Sequence, residues 1–196
     1  MRKLFIALAI AVLSVGGCAN LQQQQRLADH LAALNHVSCY PFGLDLIGRG
    51  DTAAGIEAWK QCFAPDYKFS VFLGFDQPIE CPGEKCTVAG ATSIEKRAAL
   101  ARRIYDKAGY VRTSNHLTNE TVTVTGPNEL HVKCYISAWH FRKGGVDTGV
   151  GVWEVDLVRA GTGWLISNEK LTIVGAGGMF ELALSADRSH VLDGAS

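Results

Sequence analysis

An excess of charge of either sign is missing from this chain. Its 19 basic and 19 acidic residues cancel, and they are interspersed, with no basic stripe and no acidic tail. A nucleic-acid partner needs such a stripe, so none is expected. Glycine-rich phosphate loops, the Gly-x-Ser-x-Gly elbow and the His-Glu-x-x-His pair are also missing. Their absence argues against nucleotide chemistry, serine hydrolysis and zinc proteolysis. The six cysteines follow no tetrahedral zinc spacing, and no metal is expected from them. Spanning-length apolar runs are lacking: Leu4–Val15 is too short to cross a bilayer. Disorder is excluded from the other side, because 47% of the residues are hydrophobic.

What is present begins with Met1-Arg2-Lys3 ahead of that apolar run, the architecture of a secretory signal. Val15-Gly16-Gly17-Cys18 resembles a bacterial lipobox. The resemblance implies removal of residues 1–17, lipidation of Cys18 and a membrane anchor at the cell envelope. Ala19, rather than aspartate, resembles outer-membrane sorting where a cell has an outer membrane. An ordinary cleaved signal with Cys18 incidental is the alternative. Residues 18–36 then form a polar tether and the start of a first helix, 37–175 the domain, and 176–196 a C-terminal tail. Export permits disulfides. Cys81 and Cys86 flank the turn-rich Pro82-Gly83-Glu84-Lys85 and are expected to bridge it. Cys39 and Cys62 lie on two neighbouring predicted helices and can pair. Cys134 is left over as a small buried hydrophobe.

Leu27, Leu31 and Leu34 recur at helical spacing and predict a helix over Gln22–Val37, kinked or ended by Pro41 and resumed over Phe42–Ile47. Asp51 or Thr52 caps the next helix, Ala53–Phe63. Alternation over Tyr67–Leu73 gives a strand. Thr92 or Ser93 opens a helix that Gly109 stops, and its arginines and lysines read as a solvated face. Four strand-like runs follow, Thr118–Thr125, Leu130–Arg142, Val150–Arg159 and Trp164–Val174, joined by short glycine-bearing turns. Helices ahead of strands indicate an α+β fold. The long strands predict a curved sheet with helices on its concave face and a cavity for a hydrophobic small molecule between them.

The pieces Tyr40…Asp45…Gly48-Arg49-Gly50-Asp51, Cys62-Phe63-Ala64-Pro65-Asp66, Arg112-Thr113-Ser114-Asn115-His116-Leu117-Thr118-Asn119 and Gly163-Trp164-Leu165-Ile166 occur in that order. Together they resemble the NTF2-like superfamily and its SnoaL-like (polyketide cyclase-like) group. The resemblance implies a cone-shaped α+β barrel with a mixed sheet and three helices, often a homodimer and often cofactor-free. It also implies an acid/base pair of a second-strand histidine and a first-helix aspartate, here His116 and Asp45. That pair would serve a cofactor-independent lyase, isomerase or cyclase. The alternative is a non-catalytic ligand-binding or dimerising scaffold.

Strand periodicity puts His116 on one face with Val122 and Val124, hence inward. Tyr40, Trp59, Phe69 and Trp153 are expected as cavity walls, with core packing as the alternative for each. Trp139 and His140 must face opposite ways. Trp139 shares parity with His131, Lys133 and Tyr135, which marks its face as the outer one. Asn119 falls opposite His116 and reads as structural.

Overall fold

The computed structural model describes residues 21, 23–73 and 87–178. Residues 1–20, with the expected signal and Cys18, residues 74–86, with the expected Cys81–Cys86 bridge, and residues 179–196 lie outside them. Helix α1 covers residues 23–37, and it is followed by α2 (Cys39–Gly48), α3 (Thr52–Lys60), β1 (Phe63–Leu73), β2 (Thr87–Ala91) and α4 (Ile94–Ala108). The remainder is a meander of long strands, β3 (Tyr110–Gly126), β4 (Glu129–Arg142), β5 (Gly145–Ala160) and β6 (Gly163–Ala176).

The six strands form one curved, unclosed sheet in the order β2-β1-β6-β5-β4-β3. Only β1 and β6 pair in parallel; the other neighbours are antiparallel. Register shifts interrupt every pairing except β4–β5, and such bulges bend a sheet. Helices α2 and α4 pack on the inner face, against β3 and β1. The expected α+β cone is the fold observed.

Local chemistry sets the element ends. The break before α2 falls at Ser38, three residues ahead of Pro41. Proline then sits in the first turn of α2, where its missing N–H is not required by the helix. Asp51 caps α3 by accepting from the Ala54 amide at 3.1 Å. Ser93 caps α4 through the Lys96 amide at 3.2 Å, and Gly109 ends it at φ 70°. Cys39 and Cys62 are joined, with Cα atoms 6.4 Å apart. The bridge ties the start of α2 to the end of α3, opposite the Arg49–Asp51 turn. Cys134 is buried and free, and burial pushes its thiol up to about 12.

The helical stripe of α1 differs from the expectation. Ala33 and Val37 enter the core, whereas Leu27 and Leu31 are exposed. Helix α4 differs too. Its buried stripe, Ile94, Ala98, Ala101, Ile104, Tyr105 and Ala108, includes Arg97, so part of the basic face is interior.

Candidate functional site

Between the sheet and helices α2 and α4 lies a cavity of about 60 Å³ that opens to solvent on one side. Its wall is mostly aliphatic and aromatic, including Leu44, Leu100, Ile104, Ile136, Leu171 and Ile173. Gly149, Gly151, Ala101 and Ala138 keep it open by being small. Gly151 has a second reason to be glycine: a Cβ there would stand 2.5 Å from the Thr172 carbonyl oxygen across the strand pair. The polar groups on the wall are few: Tyr40 and Arg97, and Asn115, Tyr105 and His140.

Tyr40 and Phe69 line the cavity. Trp59 and Trp153 do not; both are fully buried in the core around it. Trp59 packs directly against Gly43, with its indole N–H donating to the Tyr40 carbonyl at 3.1 Å. Trp153 stacks on Tyr40 at 4.6 Å and donates to Glu169 Oε1 at 2.9 Å. Their indoles fix the aromatic wall in place and leave contact with a guest to Tyr40.

Asp45 and His116 are not brought together. Asp45 Oδ1 accepts from the Asn115 amide (3.1 Å), the Asn115 side-chain Nδ2 (2.6 Å) and the Thr113 hydroxyl (3.1 Å). His116 is exposed, and its Nε2 meets the Ser114 hydroxyl at 3.0 Å. The cause is a bulge. Thr118 pairs with Tyr135 but Thr121 pairs with Lys133, so β3 carries one extra residue there, and Asn119 takes φ 57°. One extra residue reverses which side chains face inward. Before the bulge, Thr113, Asn115 and Leu117 face inward; after it, Val122 and Val124 share that side with their partners Val132 and Leu130. Counting through the bulge therefore puts His116 on the wrong face, and the residue beside Asp45 is Asn115. Burial raises the Asp45 pKa, and the hydrogen bonds from Asn115 and Thr113 pull against it. His116 instead borders a separate surface cleft with Leu34, Pro41 and Glu120.

His140 is inside, 1% exposed, and Trp139 is outside, 51% exposed. The imidazole stacks on Tyr110 at 4.8 Å, with the Tyr105 ring at 5.5 Å. Tyr110 donates to Asp147 Oδ2 at 3.0 Å, and Arg142 holds the same carboxylate from outside. Burial lowers the His140 pKa to about 4, against a small upward pull from Asp147. The ring is therefore neutral at physiological pH.

A second polar group is one that sequence reasoning did not find. Glu169 is fully buried, accepting from Trp153 as above and from the Tyr67 hydroxyl at 3.0 Å. Arg97 donates to the Tyr40 hydroxyl at 3.0 Å and lies 3.9 Å from Glu169. Its guanidinium also covers the Phe69 ring at 3.8 Å. Burial raises the Glu169 pKa, opposed by Arg97 and by the donors around it. Burial alone would lower that of Arg97, but the Tyr40 and Glu169 oxygens outweigh it, so Arg97 stays charged. Both residues had a signal. Arg97 lies three residues after Ile94 and four before Ala101 on one stripe. Glu169 shares strand parity with Leu171 and Ile173.

Among the described residues no three His, Cys, Asp or Glu side chains gather where they could hold a metal ion. The wall can seat an apolar body, offer donors from Arg97, Asn115 and the tyrosines, and accept a proton at His140.

The profile of the SnoaL-like domain family matches residues 25–170. No curated protein matches the chain. Several solved structures share its fold at low identity. A candidate scytalone dehydratase from Novosphingobium aromaticivorans is 15% identical at a TM-score of 0.59, over 79% of this chain and 90% of its own. A hexachlorocyclohexane dehydrochlorinase from Novosphingobium barchaimii is 11% identical at 0.59, over 79% and 92%. An NTF2-like protein with a cystatin-like fold, again from Novosphingobium aromaticivorans, is 19% identical at 0.55, over 85% and 96%.

Proposed function

Since the chain belongs to the SnoaL-like domain family, we propose that it is an exported, envelope-anchored domain whose cavity binds a hydrophobic small molecule without an Asp–His acid/base step. The observation that carries the second half is Asn115. It stands beside Asp45 where the family resemblance implies histidine, and an amide neither takes nor gives a proton near neutral pH. Three donors hold Asp45 Oδ1, a clamp between α2 and β3 rather than a base facing the cavity. The apolar wall, the small residues that keep it open and the solvent-facing side supply the binding half. The test is native mass spectrometry of the protein purified from its own host. A retained small molecule, lost on mild denaturation, is expected; a bare protein whose melting point no apolar compound moves would sink the reading.

A second reading, a cofactor-independent lyase or isomerase, is favoured by one observation, the neutral His140 on the cavity wall. A proton-abstracting His140 would exchange solvent deuterium into a bound carbonyl compound. His140→Phe would stop that exchange, and its absence from the unsubstituted protein would exclude the reading.

Export is supported by the signal architecture and by the Cys39–Cys62 bridge, since such bonds persist in oxidising compartments. Labelled palmitate should enter the full chain and not its Cys18→Ser variant. The outer sheet face exposes Tyr135, Trp139, Val146 and Val150, which supports a homodimer through that face. Sedimentation should show a dimer that Trp139→Glu dissociates; a monomer throughout the micromolar range would refute it.

A further inference from the structure

The wall of the cavity holds a charge with donors to spare. Arg97 is 5% exposed, and among the described residues its hydrogen bond is the one to the Tyr40 hydroxyl. Its Nε–H is buried with no acceptor among the described residues. Glu169 does not fill that need, because at 3.9 Å it is outside hydrogen-bond reach of Arg97 Nη2. Its two oxygens are turned to Trp153 and Tyr67 instead. A guanidinium has five N–H donors in a planar fork that matches a carboxylate. Leaving buried donors unmatched is costly, and an acceptor supplied from outside would remove that cost. Around the guanidinium the wall is aromatic and aliphatic, with Phe69 against its face and Val71 and Leu171 lining the same cavity.

We propose that the cavity selects small apolar carboxylates, with the ligand's carboxylate on Arg97 and its hydrocarbon part against the aliphatic wall. This rests on the cavity-binding reading above and narrows it to one ligand chemistry. The space inside, about 60 Å³, is well below the ~300 Å³ at which drug-sized pockets begin. It suits a short or branched aliphatic acid, or the acid end of a longer molecule leaving through the open side. Glu169 is the counterweight. Its negative form competes with an incoming carboxylate for Arg97, so the acid binds best when Glu169 is protonated, and binding takes up a proton.

The experiment is calorimetric titration of the folded protein with butyrate, isobutyrate and benzoate, each against its primary amide of the same shape. The acids should bind at least tenfold tighter than the amides at pH 7, with proton uptake seen as a dependence of heat on buffer. Arg97→Met should abolish the preference while the amides still bind. Because that substitution disturbs the core and can prevent folding, Glu169→Gln is the second arm. It keeps an acceptor for Trp153 and should raise carboxylate affinity several-fold while ending the proton uptake. Amides that bind as tightly as the acids would overturn the carboxylate proposal and leave the cavity-binding reading standing. If neither series binds, the carboxylate proposal falls, and the cavity-binding reading is decided by the native mass spectrometry above. Acid binding that Glu169→Gln leaves unchanged would place the acids elsewhere and also overturn it.

Discussion

Asn115 spends its side-chain amide and its backbone N–H on the same Asp45 oxygen. Replacing it with alanine removes the 2.6 Å side-chain bond from a half-buried carboxylate. A loss of about 1–3 kcal/mol in urea unfolding is expected; an unchanged midpoint would show that the clamp between α2 and β3 contributes nothing. His140 makes a different prediction. Its folded pKa, about 4, is below the ordinary histidine value of 6.5. The unfolded chain therefore binds more protons between those values, and the His140 contribution is complete above about pH 6.5 and lost as pH falls toward 4. The raised pKa values of Asp45 and Glu169 act in the opposite direction. The difference between the parent and His140→Phe therefore isolates the histidine: the parent should lose up to about 3 kcal/mol more across that window. Parallel stability curves would show that the imidazole is not buried in neutral form.

At the scale of elements, the bulge in β3 decides which residues see the interior. Asn119, at φ 57°, occupies a conformation that glycine adopts freely and β-branched residues resist. Asn119→Gly should leave stability within about half a kcal/mol, whereas Asn119→Val should cost about 1–2 kcal/mol, measured by thermal unfolding. The Cys39–Cys62 bridge closes a chain segment of 23 residues. Removing it with the paired substitution Cys39→Ala and Cys62→Ala should cost about 2–4 kcal/mol, read from denaturant midpoints under oxidising conditions. These two devices also explain what the sequence disclosed. Capping by Asp51 and Ser93, the stop at Gly109, the meander and the outward Trp139 follow from local rules that no distant contact reverses. The facing of His116 does not, because period-two counting assumes an unbroken ladder, and nothing in Thr118-Asn119-Glu120-Thr121 announces that Tyr135 and Lys133 will meet only part of it. Arg97 escapes the sequence pattern for a related reason. A basic residue is normally solvated, and the groups that hold this one inside, the Tyr40 hydroxyl on α2 and the Glu169 carboxylate on β6, lie far from it along the chain.

For the molecule as a whole, the cavity and the stability are separable. Ala101→Leu pushes extra carbons into the open space from α4, which has room to receive them. Its melting temperature should match or exceed that of the parent while binding of every cavity ligand is lost; retained binding would put the ligand elsewhere. The parallel pairing of β1 with β6, Phe69 beside Glu169, has a consequence in time. A ribosome delivers β1 long before β6 exists, so the first strand waits with one edge open while a hundred residues are still to come. Tyr67 likewise has no Glu169 to meet, and contacts this distant in sequence slow folding. The final strand is thus a keystone. Until it arrives β1 has one edge without a neighbour, and its arrival closes that side of the sheet.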